Sequence, residues 1–333
     1  MSRLLIVLTL ALFSSCKDYS TFNRDYTRIA AGPGPEDMAL DTINEAKRLI
    51  ISCSERRTED YSKNGFYQYE IESGSLSRLE LVGFPEDISL RPHGVDIGLV
   101  DGKKLLYVVN HEKNKADFPP KGRQSILVFE IRSDSLVFQS QLTDEILISP
   151  NDVCADHKGG LYVSNDSGEQ NNFFEKLFEL KRSTIIHFDG SNWKFVGDKM
   201  KYANGVGVKD GRLYVTGTQE KTILSYKINE DMSVSDLVRI TSLKGNDNIT
   251  FSGNKLVTTA HLDFLKFIKH VKDENKLSPC AVYTIDLQSN QLDTLYLDNG
   301  AILSAASTGL IYMDQLYVAQ VFNPFILEIP LSK

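Results

Sequence analysis

One short strand signature recurs along this chain and constrains its fold more than any other feature. It appears as Arg48 to Cys53 (RLIISC), Leu106 to His111 (LYVVNH), Leu161 to Asp166 (LYVSND), Leu213 to Thr218 (LYVTGT), Leu256 to His261 (LVTTAH) and Leu316 to Phe322 (LYVAQVF). Turn sequences stand just upstream of most copies: DGKK, HKGG, KDGR, SGNK and MDQ. Apolar runs bounded by such turns read as hairpin strands. Their starts are roughly 40 to 60 residues apart, about one four-stranded propeller blade each. Six copies account for almost the whole chain, and long helical periodicity is nearly absent. The expected fold is all-β, a six-bladed β-propeller. The composition, 41% hydrophobic and 24% charged, is that of a globular protein and supports a core of this kind.

Two stretches break the all-β pattern. Asn171 to Lys181 (NNFFEKLFELK) and Leu262 to Lys272 (LDFLKFIKHVK) carry apolar residues at helical spacing. They are expected as short amphipathic inserts over one face, either packing on the rim or walling a central site.

The N-terminus is an address. Met1 to Cys16 (MSRLLIVLTLALFSSC) has one basic residue, Arg3, then an apolar run from Leu4 to Phe13, two small residues and a cysteine. This is a secretory signal, too short for a stable spanning helix. Its ending resembles a bacterial lipobox. The expected organisation is a lipoprotein-type signal peptide over 1–16, a tether over 17–30 and the propeller over 31–333. The mature protein is then exported and lipid-anchored to a membrane of the bacterial envelope through Cys16. No later apolar run approaches the ~20 residues needed to cross a bilayer. Without Cys16, Cys53, Cys154 and Cys280 remain, an odd number with no CxxC spacing. They read as buried small apolar residues with at most one bridge. Lys+Arg 37 against Asp+Glu 44 gives a net charge of -7, which lacks the basic footprint that nucleic acid requires.

Oxygen-bearing residues fall at a matching phase upstream of the repeated strand. They are Glu36-Asp37 in GPED, Asn151-Asp152 in SPND, Asn204-Gly205 in YANG and Asp247-Asn248 in NDN, with His93-Gly94 in the equivalent place of the second blade. In a propeller the innermost strand of each blade starts beside the central channel, so these residues converge on the axis. Calcium takes 6 to 8 hard oxygen ligands and accepts Asn carbonyls, whereas zinc prefers His or Cys. Glu36 and Asp247 would balance a divalent charge, with neutral Asn151, Asn204 and Asn248 completing the cage. Any one such pair is ordinary turn chemistry. The repeated phase is what distinguishes the set.

With these motifs in order, the chain resembles the paraoxonase/arylesterase family, within the wider group of senescence-marker-protein and gluconolactonase-like calcium propellers. The resemblance runs from GPED at Gly34 through HGVD at His93, LYVVNH ending at His111, ND at Asn151, YVSND ending at Asp166, ANG at Ala203 and DN at Asp247, to LYVAQVF ending at Phe322. It implies two calcium ions. A catalytic one would be held by Glu36, Asn151, Asn204, Asp247 and Asn248. A deeper structural one would use Asp37, Asp152 and a backbone carbonyl just after His111. Neighbouring strand residues point opposite ways, so an ED or ND pair can serve two depths. The resemblance also implies that His111 is the general base of lactone hydrolysis. An ungapped match puts Asp144 where the family has a partner histidine, and Ser167 where it has another. His261 begins the second insert, where it either lines the pocket or lies on the surface. His157 and His187 receive no role.

The leading expectation is a calcium-dependent hydrolase of lactones, with aryl esters second. Calcium would polarise the carbonyl, and His111, assisted by Asp144 or a nearby carboxylate, would activate water. No GxSxG elbow is present, which argues against an α/β serine hydrolase. The rivals are a non-catalytic, calcium-stabilised binding propeller and a sugar lactonase of gluconolactonase type.

Overall fold

Each repeated signature folds as the second strand of an antiparallel sheet. The computed structural model describes residues 19, 21, 24–112, 123–169 and 178–332. The chain begins at β1 (Thr27–Ala30), and blade 1 follows as β2 (Pro35–Asp41), β3 (Arg48–Cys53), β4 (Gly65–Glu70) and β5 (Ser75–Arg78). Blade 2 comprises β6 (Glu80–Val82), β7 (Pro92–Val100), β8 (Lys103–His111), β9 (Gln124–Ile131) and β10 (Ser135–Leu142). Blade 3 is β11 (Pro150–Ala155), β12 (Leu161–Asn165), β13 (Ser183–Phe188) and β14 (Trp193–Met200). Blade 4 is β15 (Ala203–Lys209), β16 (Arg212–Gly217), β17 (Thr222–Ile228) and β18 (Val234–Ser242). Blade 5 is β19 (Asn246–Ser252), β20 (Lys255–His261), β21 (Cys280–Asp286) and β22 (Leu292–Asp298), with helix α1 (Phe264–Lys272) between its middle strands. Blade 6 holds β23 (Ala306–Tyr312), β24 (Gln315–Gln320) and β25 (Phe325–Pro330), and β1 completes it by pairing with β25.

The first strands β2, β7, β11, β15, β19 and β23 touch one another in sequence, and β23 returns to β2, so they form the inner wall of a closed ring. The six-bladed propeller is therefore present. Closure by β1 explains why the boundary expected at residue 31 fails: Thr27–Ala30 supplies the outer strand of the last blade rather than a tether. That pairing leaves no open gap between the first and last blades.

The second strands lack polar alternation because neighbouring blades cover both their faces; β3, β12 and most of β8, β16, β20 and β24 are buried. Between blades 1 and 2, Ile50, Phe66, Leu106, Leu127 and Phe129 form one such layer. Cys53, Cys154 and Cys280 are buried free thiols, as expected. Helix α1 also forms as expected, and the side chain of its N-cap, Asp263, accepts from Lys266 N. Of the other expected insert, 170–177 lies outside the described residues, as does the signal segment 1–16. Among the described residues no helix is long and apolar enough to cross a membrane.

One polar clamp joins the first two blades. Asp41 is fully buried and receives Arg48 Nε (3.1 Å) and Lys104 Nζ (2.8 Å). Arg48 also donates to Gln68 Oε1 and to the carbonyls of Arg132 and Ser133 across the blade boundary. Removing one partner of a buried ion pair strands the others. Asp41→Ala is therefore expected to cost ~3–5 kcal/mol in urea unfolding, and a loss under about 1 kcal/mol would show that the clamp is dispensable.

Candidate active site

The inner strands share one irregularity. In each, register with the second strand slips by one residue: between Pro35 and Asp37, Pro92 and Val95, Pro150 and Val153, Ala203 and Val206, Asn246 and Ile249, and Ala306 and Gly309. Two residues thus oppose one, the signature of a β-bulge, which re-aims side chains and recurs beside functional sites. The bulged pairs are Glu36-Asp37, His93-Gly94, Asn151-Asp152, Asn204-Gly205, Asp247-Asn248 and Ser307-Thr308. Every expected side-chain oxygen ligand sits in this one layer.

Hydroxyl groups opposite the bulges stitch four of the six blade boundaries. Ser52 donates to the His93 carbonyl (2.5 Å), Ser164 to that of Asn204 (2.5 Å), Thr216 to that of Asp247 (2.6 Å) and Thr259 to that of Ser307 (2.7 Å). The ring also closes through the bulged pairs themselves. Val95 N donates to Asp37 Oδ2 (2.7 Å), and Val206 N to Asp152 Oδ2 (2.8 Å). Asn248 Nδ2 donates to Thr308 Oγ1 (2.9 Å), which in turn lies 2.7 Å from Asp37 Oδ1. The two glycines make close approach possible. A Cβ on Gly94 would stand 2.6 Å from Asp152 Oδ1, and one on Gly205 would stand 2.7 Å from Asn248 Cα.

The layer is rich in oxygen and poor in compensating charge. Glu36, Asp37, Asn151, Asp152, Asn204, Asp247 and Asn248 are all buried. Asn204 Nδ2 is tied to Thr218 and Asn248 Nδ2 to Thr308. The amide oxygens of Asn151, Asn204 and Asn248 have no hydrogen-bond partner among the described residues. Orphaned buried oxygens are costly, and here three accompany several carboxylates. Burial pushes Asp37 up to about 7, a shift that Glu36 reinforces and the bonds from Thr308 and Val95 oppose. Burial, then the charge of Asp37, pushes Asp152 well above the carboxylate range. Asp37 and Asp152 also line a cavity of about 280 Å³, walled by the downstream halves of the inner strands. Among the described residues no three His, Cys, Asp or Glu side chains cluster as a metal site. The donor set is one of mixed carboxylate and amide oxygens, which suits a hard cation such as calcium rather than zinc.

Two histidines stand at the mouth of this layer. His93 and His111 meet edge-on with ring centroids 4.9 Å apart. His93 Nδ1 lies 2.8 Å from Glu36 Oε2, and its Nε2 is buried without a partner among the described residues. His111 Nδ1 meets Gln124 Oε1 at 2.5 Å, its register partner on β9. Burial, then the proximity of His93, pushes His111 down to about 3, with the Gln124 bond acting the other way. Glu36 also receives Arg56 Nη2 at 2.8 Å. Burial would raise its pKa, but the charges of His93 and Arg56 hold it at about 2.

One expectation is corrected. Asp144 does not pair with His111: it is exposed, beyond the end of β10, and its Oδ1 accepts from Ile146 N. His93 takes the partner position because its bulge turns it toward the end of β8. Beside Asp37 the backbone N–H of Val95 donates to its carboxylate, and the carbonyls beyond Glu112 lie outside the described residues. His261 is buried, with Nε2 2.9 Å from Asp247 Oδ2 and its ring stacked on Phe267 of α1 (4.2 Å). Ser167 bonds Asp166 and the Glu169 carbonyl. His187 is buried against Asp156 (2.8 Å). Sequence reading assigned no role to His93, Thr308, Gln124 or Arg56. The phase of the repeat already marked His93, and applying it to the sixth blade would have reached Ser307-Thr308.

Fold and site together define a six-bladed propeller with an oxygen-lined axial site beneath a histidine pair. The arylesterase family model matches residues 58–327, and the chain belongs to that family. It is 23% identical over 250 residues to human serum paraoxonase/lactonase 3, covering 72% of this chain and 69% of that protein. It is 23% identical over 261 residues to mouse serum paraoxonase/arylesterase 1, covering 75% and 71%. Among solved structures, a gluconolactonase from Xanthomonas campestris has a similar fold, with a TM-score of 0.59 at 15% identity over 92% of this chain and 90% of that one. Family membership supports a lactonase or esterase hydrolase.

Proposed function

We propose that this protein is a calcium-dependent hydrolase of lactones and aryl esters in which His93, backed by His111, activates water. The observation that carries the reading is the His93–His111 pair set directly against Glu36 of the oxygen layer. Glu36, Asn151, Asn204, Asp247 and Asn248 would hold a catalytic calcium, and Asp37 and Asp152 a deeper structural one. When bound, the ion would polarise the ester carbonyl and stabilise the oxyanion that develops there.

The remaining chemistry belongs to the side chains. Glu36 beside His93 Nδ1 favours the tautomer with the proton on that nitrogen, leaving the unpartnered Nε2 as proton acceptor. With Gln124 Oε1 as acceptor at Nδ1, neutral His111 carries its lone pair on Nε2 and packs its ring against that of His93, fixing the orientation of its neighbour. His93 removes a proton from water as its oxygen bonds to the carbonyl carbon. The carbon–oxygen ester bond then breaks, and the leaving oxygen takes that proton. One water is consumed, giving a carboxylic acid and a phenol from an aryl ester, or one hydroxy acid from a lactone.

The binding-only alternative rested on a missing partner for His111, which His93 supplies. Hydrolysis of a panel of phenyl acetate, alkyl lactones and aldonolactones by the chain lacking its first 16 residues tests the reading. Turnover confined to aldonolactones would favour the sugar lactonase, and no turnover with calcium tightly bound would restore the binding propeller. Export and anchoring through Cys16 belong to the same proposal, with membrane release on Cys16→Ser as their test.

The deep carboxylates predict a proton signature. Asp37, held near 7 against the usual carboxylate value, keeps its proton at pH 6 without an ion. In the ion-free protein this group's contribution to stability falls as pH rises from about 4 to 7, because the unfolded chain gives up the proton first. Calcium binding at pH 6 should therefore release protons, and affinity should rise toward pH 7. Calorimetry in buffers of different ionisation enthalpy reads this directly, and binding without proton release would remove Asp37 from the site.

A further inference from the structure

Three arginines crowd the mouth above the oxygen layer: Arg56 and Arg57 from the loop between β3 and β4, and Arg91 just before β7. Arg57 serves as a latch through its terminal nitrogens, although its Nε too is buried without a hydrogen-bond partner among the described residues. It donates to the His270 carbonyl (2.9 Å) and to Asn323 Oδ1 (3.3 Å), stacks on Phe322 (4.2 Å) and so ties the loop to α1. The other two guanidinium groups adjoin the reactive pair. Arg56 shares Glu36 Oε2 with His93, each 2.8 Å away. Arg91 lies over the Tyr61 ring (4.8 Å) and makes one long contact from Nη1 to the His111 carbonyl (3.5 Å). The Nε of each is buried without a hydrogen-bond partner among the described residues. Their positive charges also oppose each other: burial first, then Arg56, lower the pKa of Arg91, against Tyr61 and Glu59, which raise it.

This arrangement exceeds what Glu36 alone requires. One guanidinium and one histidine already meet its acceptor oxygen, while Arg91 rests on the Tyr61 ring and the His111 carbonyl with the Glu59 charge nearby. Two like charges held beside a catalytic pair, each with an unused buried donor, are stabilised by an anion placed between or above them. Planar guanidinium forks suit the two oxygens of a carboxylate.

We infer that Arg56 and Arg91 form an anion-recognition subsite beside His93 and His111, so that the preferred substrate is an ester or lactone bearing a carboxylate remote from the scissile bond. The inference rests on the hydrolase reading and narrows its substrate class. Arg91 is the specificity residue to test, since Arg56 also holds Glu36.

The experiment compares the 4-nitrophenyl monoester of glutaric acid with its neutral methyl ester, using the calcium-loaded protein. Wild type should favour the acid more than about tenfold in kcat/KM, chiefly through KM, and Arg91→Gln should lower that ratio by about tenfold. Arg91→Lys should restore part of it, because charge remains while the fork is lost. A wild-type ratio at or below one, or a ratio unaltered by Arg91→Gln, overturns the subsite. Glutarate binding by calorimetry separates the two readings. Arg91-dependent binding without turnover of any ester keeps the subsite and defeats the hydrolase. Turnover of neutral esters without glutarate binding does the reverse.

Discussion

His93→Ala lowers kcat for ester hydrolysis by about 10²- to 10⁴-fold, the range expected when a positioned general base is removed. The effect is on chemistry rather than folding. His93 lies in a bulge outside the apolar layers, and its Nε2 satisfies no group among the described residues. Thermal unfolding of the variant should fall only modestly, because Glu36 loses His93 but keeps Arg56. His111→Ala should cost less, because its ring acts through His93 rather than on water. Its pKa of about 3 keeps it uncharged through the neutral range. The reverse ranking, with His111→Ala inactive and His93→Ala active, would move the base to His111.

Asn204→Ala removes turnover by a different route. Its Oδ1 is buried and unpartnered among the described residues, so deleting it strands no donor, and only the Thr218 Oγ1 acceptor loses its bond from Asn204 Nδ2. Outer-shell changes alone cost roughly 10–100-fold in metal affinity, and loss of a direct oxygen donor should cost at least that. Asp247→Ala should behave similarly but also strand His261 Nε2, so its stability should fall further. Chelation should lower the melting temperature of the wild type if the ion at Asp37 and Asp152 is structural, and calcium should restore it. Full activity in Asn204→Ala, or an unchanged melting curve after confirmed metal loss, would contradict the proposed cage.

Much of this was legible because a propeller writes its architecture as a repeat. The period of the Leu-Tyr-Val strand gives six blades, and the polar pairs upstream of it mark the axial layer. The matching phase works because the same bulge recurs in every blade. What stayed hidden depends on register and loops. Counting back from Asn151 assigns Asp144 a place beside His111, yet Asp144 lies past the end of β10, in a segment whose path no period fixes. His93 was visible in phase, but a histidine among carboxylates and amides does not look like part of a calcium layer. Only the bulge on β7 shows that it turns to His111. Thr27–Ala30 resembled a tether because four residues carry no pattern, and pairing with β25 gives them their role. Arg56 and Arg91 come from loops, where sequence fixes composition but not direction.

The central claim joins an ion held in the oxygen layer to a histidine that uses it. Calcium titrated into chelated protein, with bound ion and phenyl acetate turnover followed together, tests that most directly. Turnover should return in proportion to filling of a calcium site that Asn204→Ala weakens, and His93→Ala should bind calcium normally while remaining inactive. Turnover that persists without calcium, or that returns equally in His93→Ala, would contradict it.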